Sequence, residues 1–251
     1  MTPTLVLAAH GSRDPRFAIT AERVRHAVDV ALPGVAVELA YLDLNEPTVG
    51  DALSATTGSH VVVVPLLFST AFHATVDLPA IIDAHRADDP DTVITQTATL
   101  GGDDRLIDAL ADRLADIGTR PDDGVIVCAV GSRDPASDRE LDAVARRLSE
   151  RLGGTAVQPL FATRLGGDGA NLRSVIDALT ADGARRIVLS PYFLSAGTLT
   201  DRVESALDTM TPDAAVAGPI GPHPGLVAII CERYQTAVSA PAMAGTRVAR
   251  T

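Results

Sequence analysis

The sequence predicts an α/β fold of two duplicated domains, each a four-stranded parallel sheet with helices on both faces. Two observations predict this fold. Short apolar runs alternate with stretches of helical periodicity four times in the first half of the chain and four times in the second. Each half also begins with an apolar run that leads into Gly-Ser-Arg-Asp-Pro, at residues 5–15 and 125–135. The expected winding is flavodoxin-like, with strand order 2-1-3-4.

The first half contains four apolar runs that predict buried parallel strands, at residues 4–9, 35–42, 61–65 and 92–99. The first helix is predicted to begin at Asp14-Pro15, because aspartate caps helices and proline suits the first helical position. Apolar residues then recur at spacings of three and four up to residue 31. Further helices are predicted to begin at Pro47 and at Asp77-Leu78-Pro79, and a fourth to cover residues 103–117.

The pattern restarts after residue 120, so we expect domains at 1–120 and 121–240, followed by a loose tail at 241–251. Glycines 11 and 101 match glycines 131 and 221 at an offset of 120, and Pro65 matches Pro191 at an offset of 126. Strands are expected near 124–130, 155–161, 185–191 and 214–219. Helices are expected near 134–152, 170–182, 199–210 and 224–238.

Composition excludes several classes of function. The formal net charge of −11 argues against nucleic-acid binding, and no apolar run is long enough to cross a membrane. All 21 cationic residues are arginines, which excludes a P-loop lysine or a Schiff-base lysine. We expect no signal peptide, and interpret Cys128 and Cys231 as buried free thiols of a cytoplasmic protein. The sequence does not indicate the oligomeric state.

Two histidines are candidate metal ligands. His10 directly follows the first strand, and His73 lies in the loop after the third. With strand order 2-1-3-4 these strands are neighbours, about 5 Å apart, and their carboxyl ends face the crevice where such sheets bind ligands. The aligned positions in the second half hold Val130 and Leu199, so the sequence predicts one metal site, in the first half. The other histidines, at 26, 60, 85 and 223, are expected to be surface or helix residues.

Charged residues near the same edge have structural or functional interpretations. Asp43 and Glu46 follow the second strand, where they either supply carboxylates to the site or, for Glu46, serve the next helix N-terminus. Asp77 is interpreted as a helix cap. Arg13 is either half of a structural ion pair or an anchor for an anionic substrate.

Three segments together, AAHGSRDP, AYLDLNEPT and VPLLFSTAFHATVDLP, resemble the class II chelatases, the sirohydrochlorin chelatases that make sirohaem or cobalt corrinoids. The resemblance extends through PYFLSAGTLTDRV and GPHPGL in the second half, as in the two-domain form with active histidines in the N-terminal half. The chain departs from the family pattern at Asp43, where a glutamate is frequent, and at Ala71, where a glycine is common.

The resemblance implies a chelatase-like fold and a lyase that inserts a divalent metal into sirohydrochlorin without nucleotide. The metal would be Fe2+ for sirohaem or Co2+ for cobalamin, with Ni2+ a further possibility. His10 would be the base and a metal ligand, and His73 the second ligand. The implied tetrapyrrole contacts are Glu46 and the loop residues Phe68, Ser69, Thr70, Ala71 and Phe72. The eight carboxylates of sirohydrochlorin require a local arginine field, for which the candidates are Arg13, Arg133, Arg164 and Arg202.

Two alternatives remain open at the level of the sequence. A non-catalytic metal or tetrapyrrole carrier would use the same histidines, and only turnover separates it from a chelatase. A histidine-dependent phosphotransfer enzyme would use His10 as a nucleophile. In the histidine phosphatases an arginine precedes that histidine, whereas here the residue is Ala9.

Overall fold

The computed structural model describes residues 2–56, 60–69, 73–132 and 134–240 of the chain. Its strands are β1 Thr4–Ala9, β2 Val37–Tyr41, β3 His60–Pro65, β4 Val93–Gln96, β5 Asp123–Ala129, β6 Val157–Phe161, β7 Arg186–Pro191 and β8 Ala215–Val216. Its α-helices are α1 Pro15–Ala31, α2 Val49–Ala55, α3 Leu78–Asp88, α4 Asp104–Asp116, α5 Ala136–Arg151, α6 Ala170–Ala181, α7 Thr198–Met210 and α8 Pro224–Ser239. The elements therefore alternate as the sequence predicts.

The strands form two parallel four-stranded sheets with the orders β2-β1-β3-β4 and β6-β5-β7-β8. Both orders confirm the predicted 2-1-3-4 winding. In the first sheet Ala8 lies opposite Pro65, and in the second Cys128 lies opposite Pro191. Because β1 neighbours β3, the segments that follow these two strands leave the same edge of the sheet side by side.

Some element ends differ from the predictions for local reasons. Helix α2 begins at Val49 rather than Pro47, because Thr48 is its cap. The Thr48 hydroxyl accepts a hydrogen bond from the Asp51 N–H at 3.1 Å, while the Asp51 carboxylate accepts one from the Thr48 N–H at 3.0 Å. The edge strands β4 and β8 are shorter than predicted, because each pairs with a neighbour on one side only.

The segment before α3 differs most from its prediction. A π-helical turn, His73–Asp77, leads directly into α3, so the helical path begins before Asp77. Asp77 already has helical backbone angles and makes no capping hydrogen bond within the described residues, so its interpretation as a helix cap is wrong. The Gln96 amide donates to the carbonyl of Ala74 at 2.9 Å and ties the turn to the end of β4.

The two repeats share one hydrophobic core. Alternate side chains of β1, β3, β5 and β7 contribute to one common cluster, which also contains side chains of α1, α4, α5 and α8. The opposite face of the first sheet packs on α2 and α3. The opposite face of the second sheet packs on α6 and α7. The last helix of each repeat also contacts the sheet of the other, α4 on β7 and α8 on β3. This exchange joins the repeats through their cores.

Cys128 is buried, Cys231 is half-buried, and both are free thiols. Burial raises the pKa of the Cys128 thiol to about 12, as expected for an inert core cysteine. Among the described helices, none is long and apolar enough to cross a membrane. The predicted tail at 241–251 lies outside the described residues.

Candidate active site

His10 lies at the carboxyl end of β1, where the chain turns toward α1. It is half-buried, and its carbonyl accepts a hydrogen bond from the Asp43 N–H at 3.0 Å. Its Nδ1 lies 3.1 Å from the carbonyl oxygen of Gly11. Because a carbonyl oxygen only accepts hydrogen bonds, this contact places the neutral ring's proton on Nδ1 and its lone pair on Nε2. The lone pair suits a metal ligand or a base.

The turn after His10 requires glycine at position 11. Gly11 has φ +95°, and a Cβ atom there would lie 1.8 Å from the carbonyl oxygen of Asp43. The next residue, Ser12, donates its N–H to the side-chain oxygen of Asn45 at 2.7 Å, and its hydroxyl accepts from the Asp14 N–H at 3.1 Å. The loop after β2 and the start of α1 therefore hold this turn from two sides.

The second repeat preserves the turn without the histidine. Gly131 has φ +98°, and a Cβ atom there would lie 2.4 Å from the hydroxyl of Thr163. The Ser132 hydroxyl accepts from the Asp134 N–H at 3.1 Å, the same distance as in the first repeat. Val130 takes the place of His10 and is 46% exposed. The repeated Gly-Ser-Arg-Asp-Pro motif thus marks a strand-to-helix turn in both repeats.

The loop predicted to carry the second histidine follows β3, next to His10. The Leu66 N–H donates to the carbonyl of Ala8 at 2.9 Å, which holds the start of this loop beside the end of β1. Phe68 and Ser69 are half-buried. Three predicted contact residues, Thr70, Ala71 and Phe72, lie outside the described residues. The backbone of His73 opens the π-helical turn, and its side chain is outside the described part.

The two acidic candidates, Asp43 and Glu46, are both exposed in the loop after β2, at the same sheet edge as His10. Asp43 accepts a hydrogen bond from the Leu44 N–H at 2.8 Å. Because Thr48 and Asp51 cap α2, Glu46 is not needed at that helix N-terminus. Within the described residues, no group of three or more His, Cys, Asp or Glu side chains is placed to hold a metal ion.

The candidate arginines separate into two kinds. Arg164 is engaged in structure: it donates to the Asp138 carboxylate at 2.9 and 3.0 Å and to the carbonyl of Ser132, and it lies over the Phe161 ring. Arg13 and Arg202 are exposed, and in the described ranges neither pairs with a carboxylate. Arg133 lies outside the described residues.

Loops from both repeats meet at the carboxyl ends of the strands. The ring of Phe68, after β3, lies 5.1 Å from the ring of Tyr192, after β7, measured between centroids. Arg16 and Asp201 form an ion pair from α1 to α7. Segments that follow the strands of the two sheets therefore meet, and we call the space beside them, with His10 on its first-repeat side, the cleft.

Two residues of this arrangement are absent from the sequence-based candidates, Asn45 and Arg16. Asn45 stands between Asp43 and Glu46 in the segment that the resemblance singles out, but a neutral amide in a loop carries no sequence signal that it holds a neighbouring turn. Arg16 follows Asp14-Pro15 directly, but its partner Asp201 is remote in sequence, and no local pattern links them.

Fold and site together define a two-repeat α/β protein whose candidate site lies at the carboxyl ends of parallel strands, where such sheets bind ligands. The chain belongs to the CbiX family, whose family model matches it twice, at residues 4–117 and 124–237.

Named relatives and solved structures agree with this membership. A sirohydrochlorin ferrochelatase of Bacillus subtilis is 28% identical over 231 residues, which span 89% of this chain and 87% of the relative. A sirohydrochlorin cobaltochelatase of Priestia megaterium is 27% identical, covering 92% of this chain and 79% of the relative. The structure of SirB from Bacillus subtilis with Fe3+ has a TM-score of 0.81 at 27% identity, over 95% of this chain and 96% of that one.

Proposed function

We propose that this protein is a sirohydrochlorin chelatase, a lyase that inserts Fe2+ or Co2+ into the tetrapyrrole without nucleotide. The observation that carries the proposal is the turn after β1, which is built twice in the chain but holds a histidine only in the first repeat. Support comes from the ferrochelatase and cobaltochelatase relatives, which resemble the chain over most of its length, and from the SirB structures with Fe3+ and cobalt. The sequence-based expectation that Ni2+ is also accepted is part of the proposal.

The chemistry of insertion fits the proposed residues. Insertion requires the metal to lose water ligands and two pyrrole nitrogens to lose protons. A neutral imidazole is both a ligand for Fe2+ and Co2+ and a base at neutral pH. We assign His10 as a ligand through Nε2 and, once the metal passes to the ring nitrogens, as the base that accepts one pyrrole proton at the same lone pair, while the other proton passes to water. His73 is assigned as the second ligand. Two protein ligands leave positions on the metal for the ring nitrogens, as insertion requires.

Substrate contacts are assigned to the cleft that the two repeats form. Glu46 and the loop from Phe68 to Phe72, which includes Ser69, Thr70 and Ala71, would contact the tetrapyrrole. Asp43, at the same edge, is a further acid. Arg13 and Arg202 are the exposed cations that we propose for the substrate carboxylates, since Arg164 is held by Asp138.

The repeats have different roles in this proposal. Residues 1–120 carry the metal site, and residues 121–240 close the cleft over the tetrapyrrole. Val130 and Leu199 in the second repeat replace the two histidines, so each chain would bind one substrate metal. The free thiols at Cys128 and Cys231 support a reducing compartment, and we propose the cytoplasm.

The test is direct. Purified protein is mixed anaerobically with sirohydrochlorin and Fe2+, Co2+ or Ni2+, and metal insertion is followed by the change in the tetrapyrrole absorption spectrum. His10→Ala should abolish insertion while circular dichroism shows an intact fold. His26→Ala is the matched control, because His26 is exposed on α1 of the same repeat. Binding of sirohydrochlorin without turnover by the unmodified protein would refute the chelatase and identify a carrier.

A further inference from the structure

We propose that Arg16 is a positioning residue that locks helix α7 of the second repeat to the His10 turn and closes one end of the cleft. The tetrapyrrole would then enter at the opposite end, beside the π-helical turn that begins at His73. This inference rests on the proposed function for its substrate. The lock itself, meaning the hydrogen bonds that Arg16 makes to Asp14 and Asp201, is a property of the fold.

Arg16 joins two carboxylates that belong to different repeats. Its guanidinium donates to both oxygens of Asp201 in α7, at 2.9 and 2.5 Å. The same group donates to both oxygens of Asp14, at 3.0 and 2.6 Å. Bidentate pairs of this kind fix orientation as well as distance, because the planar guanidinium matches the carboxylate. The first turns of α1 and α7 are therefore held in one relative position.

Asp14 is the centre of this lock. Its carboxylate caps α1 by accepting the Arg16 N–H at 3.0 Å. It also lies against the start of α7, where a Cβ atom on Gly197 would be 3.7 Å from its Oδ2. Two helix N-termini, each with a partial positive charge, thus lie close to one carboxylate. Hydrogen bonds from the Arg16 side chain and backbone lower the Asp14 pKa to about 2, so the carboxylate is ionised at neutral pH.

A second contact strengthens the same junction. The hydroxyls of Thr20 and Ser195 lie 3.0 Å apart, and Ser195, which is buried, donates to the carbonyl of Arg16 at 3.1 Å. Ser195 precedes α7 and Thr20 lies one turn beyond Arg16. The junction therefore extends over the first two turns of α1.

The lock acts on the candidate active site through the chain itself. The Asp14 N–H donates to the Ser12 hydroxyl, and Ser12 is two residues from His10. A shift of α7 that displaced Asp14 would move this turn. Among the described residues, the Arg16 side chain bonds to Asp14 and Asp201 and not to His10, so its effect is one of position.

The corresponding end of the cleft cannot form this lock. At the offsets that align the repeats, Asp14 matches Asp134, but Arg16 matches Ala136 and Asp201 matches Thr75. Neither a methyl group nor a hydroxyl can form the bidentate ion pair. Thr75 lies in the π-helical turn His73–Asp77, so the end without the lock is the end next to the second candidate histidine. We infer that this end admits the substrate.

A charge exchange tests the lock. Arg16→Asp removes the cation and places a third carboxylate beside Asp14 and Asp201. The double variant, Arg16→Asp with Asp201→Arg, again has one arginine and two aspartates at this junction. We expect Arg16→Asp to raise the KM for sirohydrochlorin about two- to fivefold, the range of exposed ion pairs. The value of kcat should stay within about twofold, because Asn45 still holds the His10 turn through Ser12. The exchanged double variant should return KM toward that of the unmodified protein.

The matched control is Arg151→Asp, with its own exchange partner Asp108→Arg. This pair also joins the two repeats, from α5 to α4, at 2.7 Å, and lies away from the strand ends. It should leave KM unchanged. An unchanged KM in Arg16→Asp, no recovery in the double variant, or an equal effect of Arg151→Asp would each overturn the proposal.

Hydrogen–deuterium exchange gives a readout that does not depend on turnover. Arg16→Asp should accelerate exchange of the α7 first-turn amides relative to Arg151→Asp, and unchanged exchange there would overturn the lock. If the unmodified protein inserts no metal, the chelatase proposal fails. The hydrogen–deuterium exchange measurement then still tests whether Arg16 holds α7 in place.

The entry side is tested by building a lock at the other end. Ala136→Arg with Thr75→Asp places an arginine between residue 75 and Asp134. This variant should lower kcat/KM for sirohydrochlorin relative to either single substitution, and an unchanged value would refute entry at that end.

Discussion

The side-chain oxygen of Asn45 accepts the N–H of Ser12 at 2.7 Å, which connects the loop after β2 to the turn that presents His10. We predict that Asn45→Ala lowers kcat for metal insertion about tenfold, since a half-buried N–H loses its acceptor and the turn is free to shift. Asn45→Asp keeps an acceptor oxygen at the same position and should retain most of the activity. Equal losses in the two variants would show that the hydrogen bond does not position the turn.

Gly11 is predicted to be intolerant of any side chain, for a reason that a control can isolate. Gly11 and Gly34 both have positive φ, +95° and +85°, but only at Gly11 would a Cβ atom collide with backbone, the Asp43 carbonyl oxygen. Gly34→Ala should lower the free energy of unfolding by about 1–2 kcal/mol from backbone strain alone. Gly11→Ala should lower it clearly more, as measured by urea unfolding, and should also abolish metal insertion. Equal losses of unfolding free energy in the two variants would mean that backbone strain, and not the close approach of the Asp43 carbonyl oxygen, determines the effect at Gly11.

The fold was largely predictable because its signals are local. Strand β1 has the predicted bounds, since a continuous apolar run with Asp14-Pro15 a few residues beyond allows few alternatives. The strand order followed from the rule for doubly wound sheets. The errors lie at edge strands and at the starts of α2 and α3, where tertiary pairing, a capping box and a π-helical turn set the ends.

The exchange of helices between repeats could not be predicted. The periodicity of α4 indicates that one face is buried, but not that this face reaches β7 of the other sheet. The same limit applies to the site. His10 can be identified from the sequence because it directly follows a strand. The ion pair of Arg16 with Asp201 cannot, because the two residues are brought together by the packing of the two repeats.

The start of β5 offers a prediction about acid stability. The Asp123 side chain is 2% exposed and receives both the Arg186 guanidinium, at 3.0 and 2.6 Å, and the Arg120 N–H, at 2.7 Å. Burial raises the pKa of Asp123, but these hydrogen bonds outweigh it and hold the pKa below its usual value. We predict that Asp123→Asn lowers the free energy of unfolding at pH 7 by about 2 kcal/mol.

The pH dependence has a definite sign. A carboxyl whose pKa is lower in the folded state stabilises the fold above its unfolded pKa, near 4, and that stabilisation is lost as pH falls through the folded value. The difference between Asp123→Asn and the unmodified protein should therefore be constant from pH 7 to 5 and shrink below pH 4. Asp122→Asn is the control, because Asp122 is exposed and its pair with Arg185 is long, at 3.6 Å. A difference that grows toward low pH would contradict this assignment.

The Phe68–Tyr192 pair connects the loop after β3 to the second repeat, and its coupling is measurable. The rings lie 5.1 Å apart between centroids, tilted by 31°, a favourable arrangement for aromatic groups. A double-mutant cycle with Phe68→Leu and Tyr192→Leu should give a coupling of about 1 kcal/mol in unfolding free energy. Phe161→Leu, in β6, should combine additively with Phe68→Leu.

Because Phe68 opens the proposed tetrapyrrole loop, Tyr192→Leu should also weaken sirohydrochlorin binding, measured by fluorescence titration. Unaltered binding together with a measurable coupling would show that the contact stabilises the fold without ordering the loop for substrate.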